Sequence, residues 1–169
     1  SASIDGHALE GAFAVIHLAG ENVGQLWNAE TKQKILNSRE RGTSLIARTI
    51  AGLREPPKVF VSASAVGYYG DRGEQRLDEQ AGPGEGFLAE VCERWEAAAE
   101  PAKAAGVRLV HPRVGVVLAK HGGALEKMQL PFKMGLGGKI GSGEQYMSWI
   151  HIDDVALAIG FALRSEMQG

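Results

Sequence analysis

The stretch Lys58–Asp71, KVFVSASAVGYYGD, runs from a predicted strand into small and polar residues. Its first part, Lys58–Val61, has the branched and aromatic side chains that favour a buried strand. The serines and tyrosines that follow place hydroxyl groups where this strand ends. Two interpretations are open at this point: a catalytic serine and tyrosine, or ordinary turn chemistry at a strand end.

The segments on either side of this stretch alternate between strand and helix patterns. Strands are predicted where short apolar runs occur, and helices where apolar residues recur every three or four positions. The predicted strands are Ala12–Ala19, Lys58–Val61 and Val107–Val110; the predicted helices are Asn28–Ile50, capped by Asn28, Phe87–Ala105, and a last one opened by Asp153 and Asp154. This order is typical of right-handed βαβ crossovers, and it predicts an α/β fold with a doubly wound parallel sheet.

Glycine marks the segments predicted as loops. Gly70–Gly86 is predicted to be a surface loop, and residues 122–150 a glycine-rich loop region on the substrate side of a single domain, residues 1–169. Gly135, Gly137 and Gly141 have a spacing close to that of phosphate loops. Because no strand precedes them and no helix follows, we interpret them as a loop and not as a phosphate cradle.

Composition excludes several classes of function. The chain has 169 residues, a formal net charge of −2 and no basic run, so we expect no nucleic acid and no membrane among its partners. The histidines lack the spacing of metal ligands and Cys92 is the single cysteine, so no metal site is predicted. Ser64 lacks the flanking glycines of a serine-hydrolase elbow. We expect a cytoplasmic protein, since no signal peptide is visible.

Three polar or small segments follow the predicted strands: HLAGEN at 17–22, SASAVGYYGD at 62–71 and HPRVGVV at 111–117. In an open parallel sheet, ligands bind at the carboxyl ends of the strands. Small residues there let the backbone approach a flat ligand closely. Each segment alone could be a tight turn, but the three together, with the hydroxyl groups of Ser62 and Ser64, predict a ligand site at this edge.

The order and spacing of five segments resemble one known family. The segments are VIHLAGENV, VSASAVGYYGD, FLAEVCERWEAAA, RLVHPRVGVVLAKHGGAL and LPFKMGLGGKIGSGEQYMSWIHIDDV. They resemble the atypical extended short-chain dehydrogenases/reductases called the epimerase family, also described as nucleoside-diphosphate-sugar epimerase-like or as cell-division inhibitors. The resemblance implies a Rossmann-like fold that binds NADP or NAD. It also implies an oxidoreductase or epimerase acting on a small molecule, a nucleotide sugar or a carbonyl compound.

The resemblance also assigns residues to the site. The cofactor would be bound by three groups of residues at the strand ends: His17, Leu18, Ala19 and Gly20; Ser62 and Ala63; Pro112, Arg113 and Val114. The substrate would contact Ser64, Arg113, Gln145, Trp149 and His151. Ser64 would be the catalytic residue, through a hydrogen bond to a substrate oxygen.

Two departures from the family pattern bear on activity. Phe87 and Val91 stand where the superfamily has its catalytic tyrosine and lysine, and neither transfers a proton. Tyr68 and Tyr69 are the nearest tyrosines by sequence, on the loop side of the strand. A dinucleotide-binding or sensor protein without turnover is therefore the alternative function.

The second departure is the missing glycine-rich turn that opens the family's fold and holds the pyrophosphate. We therefore expect only the later half of the full sheet, as in a fragment of a longer protein or a natural truncation, and weak cofactor binding by this chain alone. The first strand would leave an apolar edge unpaired, which favours self-association.

Overall fold

The computed structural model describes residues 4–139, 141–167 and 169. In chain order the strands and helices are β1 Ala14–His17, α1 Ala29–Ala51, β2 Val59–Ser62, β3 Ser64–Ala65, α2 Phe87–Ala97, α3 Glu100–Ala104, β4 Arg108–Val110, β5 Arg113–Val114, β6 Val116–Leu118, α4 Gly123–Lys133, β7 Trp149–His151 and α5 Ile152–Arg164. Single 3₁₀ turns lie at Gly6–Ala8 and Val66–Tyr69.

The strands are all parallel, as the βαβ pattern predicted. β1, β2 and β4 form one sheet in the order β1-β2-β4, with β2 in the centre. β3 pairs with β5 and prolongs the sheet beyond β2 and β4, because the Ser64 amide donates to the Pro112 carbonyl at 2.9 Å. β6 pairs with β7. The carboxyl ends of β1, β2 and β4 therefore meet at one edge.

The core is divided between the two faces of this sheet. On one face Phe60 and Leu109 pack against Ala47 and Ile50 of α1 and against α3. On the other face Val59, Val61 and Val110 pack against Ala162 of α5. Because successive side chains of a strand point to opposite faces, an unbroken apolar strand such as β2 needs a helix on each side. The prediction of a doubly wound α/β fold is confirmed.

Helix α1 begins as its sequence predicted. The Asn28 side chain accepts a hydrogen bond from the Thr31 amide at 2.8 Å and so caps the first turn. The buried face of the helix consists of Ile35, Leu36, Thr43, Ala47 and Ile50. Ala47 and Ile50 of this face pack with Phe60 of β2, and Arg39 lies beside Gly20 in the loop after β1.

The single helix predicted for Phe87–Ala105 is wrong, because the structure divides it into α2 and α3. Pro101 lies four residues after Ala97, the last residue of α2. A proline inside a helix lacks the amide for the bond to the carbonyl four residues earlier, and its ring clashes with that carbonyl. The chain therefore turns at Ala98 and Ala99 and starts again with Pro101 in the first turn of α3.

The loop prediction for residues 122–150 is wrong for its first part, which forms helix α4, Gly123–Lys133. Apart from Gly123, which begins the helix, the glycines of this region lie before or after α4, so the glycine content of the region did not indicate the helix. Gly135 and Gly137 follow α4 and have no strand before them, as predicted, while Ile140 lies outside the described residues. Asp153 and Asp154 lie in the first turn of α5, but the cap is His151, whose Nδ1 accepts from the Asp153 amide at 3.3 Å.

Within the described residues, β1 forms an edge of the sheet, since it pairs with β2 alone. Phe13, Ile16 and Leu18 are exposed beside this edge. The apolar edge that the sequence predicted is present, and self-association through it stays a prediction. Across the described segments, none of the helices combines the length and the apolar character needed to cross a bilayer.

Candidate functional site

A cavity of about 800 Å³ opens at the carboxyl ends of the strands. It lies between the loop after β1, the segment after β3, helix α2, strands β5 and β6, and the start of α4. Its lining residues are Asn22, Val23, Gly24, Arg39, Ala65, Val66, Gly67, Leu88, Val91, Cys92, Trp95, Val114, Gly115, Val116, Val117, Gly123, Ala124, Lys127 and Met128. A volume of this size and a mainly apolar lining are typical of a small-molecule or cofactor site.

The charged groups on this lining are all positive. Arg39 and Lys127 line the cavity, and among the described residues neither aspartate nor glutamate does. The Arg39 guanidinium lies 4.9 Å from the centre of the Trp95 ring, and its Nη1 donates to the carbonyls of Glu21 at 3.0 Å and Ile35 at 3.3 Å. Burial lowers the pKa of Arg39 from its ordinary value. A half-buried cation in an apolar cavity favours a negatively charged ligand.

Cys92 is the cavity's one thiol and is buried. Burial raises the pKa of this thiol, and the nearby Glu96 carboxylate raises it further. Only the thiolate is a good nucleophile, and burial suppresses it here. Cys92 therefore forms part of the apolar wall.

Ser64, the residue predicted to be catalytic, takes part in a buried ion-pair network. Its hydroxyl donates to Glu96 Oε1 at 2.6 Å, and Arg113 Nε and Nη2 each donate to this carboxylate at 2.9 Å. Burial raises the pKa of Glu96, but the hydrogen bonds from Arg113 and Ser64 outweigh it and the net pKa lies below its usual value. Glu96 is thus a stable anion that joins β3, β5 and α2.

The two tyrosines of the opening stretch hold the same arginine. The Arg113 guanidinium carbon lies 3.5 Å from the centre of the Tyr68 ring, and Nη1 donates to the Tyr69 hydroxyl at 3.0 Å. Hydrogen bonds to Glu96 and Tyr69 raise the pKa of Arg113, so its charge is permanent. Neither tyrosine lines the cavity. Their contacts are those of residues that fix Arg113 and the turn at 66–69.

Phe87 and Val91 occupy the first turns of α2, where the resemblance places the tyrosine and lysine of the superfamily. The Phe87 ring packs edge-on against Trp27 at 5.3 Å and lies 5.2 Å from the Lys32 ammonium. Val91 is buried and lines the cavity. The wall that would carry the proton-transfer pair is therefore apolar in this chain.

A second polar layer lies beneath the strand ends, between the sheet and α1. His17 and Ser62 are register partners at the ends of β1 and β2, and His111 Nδ1 lies 3.0 Å from the Ser62 carbonyl oxygen. In the described part of the chain, buried polar atoms without a hydrogen-bond partner are His17 Nε2, Thr43 Oγ1, Ser62 Oγ, Trp95 Nε1 and His111 Nε2. Burial lowers the pKa of both His17 and His111, so both imidazoles are neutral near pH 7.

The two buried histidines predict acid sensitivity. A lowered folded-state pKa means that the unfolded chain binds more protons below the ordinary value of 6.5, so stability is full above this pH and falls as the pH drops through it. We expect His111→Asn to reduce the slope of the unfolding free energy between pH 7.5 and 5.5. The limit is about 1.4 kcal/mol per pH unit for one imidazole. The exposed His7, replaced by asparagine, is the control, and equal slopes for both variants would contradict the assignment.

The structure places the predicted site residues in three groups. Val114 lines the cavity, and Gly20 lies against Arg39, which also lines it. Residues near the strand ends but outside the lining are His17, Leu18, Ala19, Ser62, Ala63, Ser64, Pro112 and Arg113. Trp149 and His151 lie on β7, exposed, one strand away from the lining residues of β6, and Gln145 lies in the segment before β7.

Arg39, Cys92 and Lys127 are lining residues that sequence reasoning missed. Each lies on a helix, and an arginine or lysine on an amphipathic helix is normally a solvated residue. In the structure Gly20 lies beside Arg39, since a Cβ at this position would lie 2.9 Å from the guanidinium carbon. In the segments described, His, Cys, Asp and Glu form no group of three that could hold a metal ion.

The fold and the sequence match known proteins over almost the whole chain. The sequence profile of the NAD dependent epimerase/dehydratase family matches residues 6–169. An epimerase family protein of Mycobacterium bovis is 42% identical over 164 residues, which are 96% of this chain and 54% of that protein. The chain thus spans about half the length of such relatives.

Two solved structures resemble this chain closely. The nucleoside-diphosphate sugar epimerase from Corynebacterium glutamicum has a TM-score of 0.86 and 39% identity, covering 98% of this chain and 35% of its own. Human epimerase family protein SDR39U1 (isoform 2), solved with NADPH, has a TM-score of 0.85 and 39% identity, covering 94% of this chain and 55% of its own. The sheet and its helices are Rossmann-like, and the chain belongs to the NAD dependent epimerase/dehydratase family.

Proposed function

We propose that this chain forms the nicotinamide and substrate side of an NAD(P)-dependent oxidoreductase or epimerase. The observation that carries the proposal is the acid-free cavity of about 800 Å³ at the carboxyl ends of parallel strands. Ligands of open α/β sheets bind at this edge. The similarity to human SDR39U1, which was solved with NADPH, supports a nicotinamide dinucleotide as the cofactor.

The residues around the cavity fit such a cofactor. Val66, Leu88 and Val114 supply an apolar surface for a flat ring. Gly115 packs so closely on the backbone of Ser148 that a Cβ there would lie 2.8 Å from the Ser148 carbonyl oxygen. NAD(P), when bound, would supply hydride transfer. The chain's own residues would bind its ring, orient it and exclude water.

The strand-end residues are proposed as the surrounding contacts. His17, Leu18, Ala19 and Gly20 would follow the cofactor along β1, and Ser62, Ala63 and Pro112 would support its nicotinamide end. Ser64 would contact a substrate oxygen only by giving up its hydrogen bond to Glu96. Arg113, Gln145, Trp149 and His151 are the proposed substrate side; the substrate would be a nucleotide sugar or a carbonyl compound.

Direct binding tests this function. We expect the product of the complete gene to bind NADPH or NADH saturably, with quenching of its tryptophan fluorescence, because Trp95 lies in the cavity wall. Leu88→Glu, which places a carboxylate in the apolar wall and repels an anionic ligand, should weaken binding by about tenfold or more. Arg41→Gln on the exposed face of α1 is the control. If neither cofactor binds to the wild-type protein, the proposed function fails.

A dinucleotide-binding protein without turnover is the second candidate function. It is favoured by the wall of α2, where Phe87 and Val91 supply no proton donor, and by the buried thiol of Cys92. Cofactor binding without any oxidation or reduction across a panel of carbonyl compounds and nucleotide sugars would support it. Turnover that is lost in Ser64→Ala, with cofactor binding retained, would support the enzyme instead.

A further inference from the structure

Arg39 has an unused set of hydrogen-bond donors. A guanidinium carries five N–H groups. The two on Nη1 are accounted for by the carbonyls of Glu21 and Ile35. No acceptor among the described residues receives the N–H groups of Nε and Nη2. These two nitrogens form the edge of the guanidinium that binds a carboxylate or a phosphate through two parallel hydrogen bonds.

Arg39 also lacks a carboxylate partner. No acidic oxygen of the described residues lies within the 4.0 Å that defines an ion pair with it. The Glu21 carboxylate raises the pKa of Arg39 from beyond ion-pair distance. Oε1 of Glu21 accepts hydrogen bonds from the Asn22 amide at 3.2 Å and from Gln25 Nε2 at 3.2 Å instead. A half-buried charge without a partner costs free energy, and this cost is recovered when an anion binds.

The surroundings of Arg39 reinforce its charge. Lys127 lies on the same lining, with its ammonium 3.4 Å from the Gly24 carbonyl oxygen across the mouth of the cavity. Helix α4 also starts at the cavity, and a helix N-terminus carries partial positive charge, which Glu126 in the first turn offsets. Lys127 is therefore the group on the lining that adds to the positive charge of Arg39.

We propose that the Nε and Nη2 edge of Arg39 binds an anionic group, a carboxylate or a phosphate, of the ligand that occupies the cavity. The proposal rests on the proposed function, because it names the chemistry of that same cavity. Gly20 is part of the site, since a side chain there would collide with the guanidinium and turn it away. The anion belongs either to the dinucleotide or to the substrate.

The test uses the product of the complete gene. Arg39→Gln removes the charge, and Arg39→Lys keeps the charge but loses the two parallel donors of Nε and Nη2. The exposed Arg41→Gln is the control. The probes are NADPH, inorganic phosphate and acetate, measured by calorimetry, with the small anions tested on the free and on the NADPH-loaded protein. Tryptophan fluorescence and the melting temperature establish that each variant is folded.

We expect the affinity for the anionic probe that Arg39 binds to fall by about tenfold or more in Arg39→Gln. The affinity should fall less in Arg39→Lys and stay unchanged in Arg41→Gln. If the anion belongs to the cofactor, NADPH binding itself weakens and phosphate competes with it. If the anion belongs to the substrate, Arg39→Gln leaves NADPH binding unchanged. The NADPH-loaded variant then no longer binds phosphate or acetate, whereas the NADPH-loaded wild type does.

Folded Arg39→Gln that binds all three probes like the wild type would overturn the proposal. A wild-type protein that binds neither small anion, and whose NADPH affinity is unaffected by Arg39→Gln, would also overturn it. Absence of NADPH binding to the wild type contradicts the proposed function alone. In that case phosphate binding to the free protein, and its loss in Arg39→Gln, still decides whether Arg39 holds an anion.

Discussion

Replacement of Glu96 by alanine is expected to lower the free energy of unfolding by about 2 kcal/mol. The carboxylate receives two hydrogen bonds of 2.9 Å from Arg113 and one of 2.6 Å from Ser64. The side chains of Arg113 and Glu96 are 18% and 15% exposed, so water can replace the lost partner only in part. The cost is mainly that of a partly buried guanidinium left without its anion, and it should appear as a lower urea midpoint for the complete gene product.

Two further variants separate this network from a general effect on the helix. Glu93→Ala lies on the exposed side of the same helix α2 and should change the free energy of unfolding by no more than about 0.5 kcal/mol. Glu96→Gln keeps the volume and one acceptor oxygen, so it should fall between the two. If Glu96→Ala is as stable as Glu93→Ala, the ion pair does not contribute to the stability of the fold.

The main elements of the fold could be predicted from the sequence, but the ends of the helices could not. Parallel strands and the helices between them could be predicted because each apolar surface must be covered. The unbroken apolar run Val59–Val61 needs cover on both faces, and the apolar residues of α1 repeat along one face only. Helix boundaries were less certain, because Pro101 and His151 act through their exact position in a turn. Residues 123–133 were misread since the glycines that flank α4 dominated the composition.

The cavity lies at the sheet edge where the sequence predicted a ligand site, but Val114 is the predicted residue that its described lining includes. Strand ends carry a signal in sequence, namely small residues after an apolar run, and these ends do border the cavity. Glu96, the shared partner of Ser64 and Arg113, has no such signal in the sequence. It lies on α2, 32 positions from Ser64, and the sequence does not distinguish it from the other glutamates of that helix. Arg39 is hidden for the same reason: its burial depends on Gly20 and Trp95, which are distant in the chain and close in space.

The Gly70–Gly86 loop provides the other large effect, since Gly84→Ala is expected to destabilise the protein by about 3 kcal/mol. The loop packs back on the turn after β3, where the Gly84 amide donates to the Tyr68 carbonyl at 2.9 Å. A Cβ on Gly84 would lie 2.0 Å from the Tyr69 carbonyl oxygen and 2.4 Å from its carbon. Both are backbone atoms, which cannot rotate out of the way as the end of a side chain can.

Gly82→Ala is the matched control for this effect, because a Cβ there meets no atom within 4 Å and the residue does not have a positive φ. It should be neutral or stabilising by about 0.5 kcal/mol, since alanine restricts the unfolded chain. Displacing the loop should also release the Tyr68 and Tyr69 rings from Arg113, which we expect to be visible as faster hydrogen exchange at residues 66–70. Equal unfolding midpoints for Gly84→Ala and Gly82→Ala would mean that the loop does not pack on this turn.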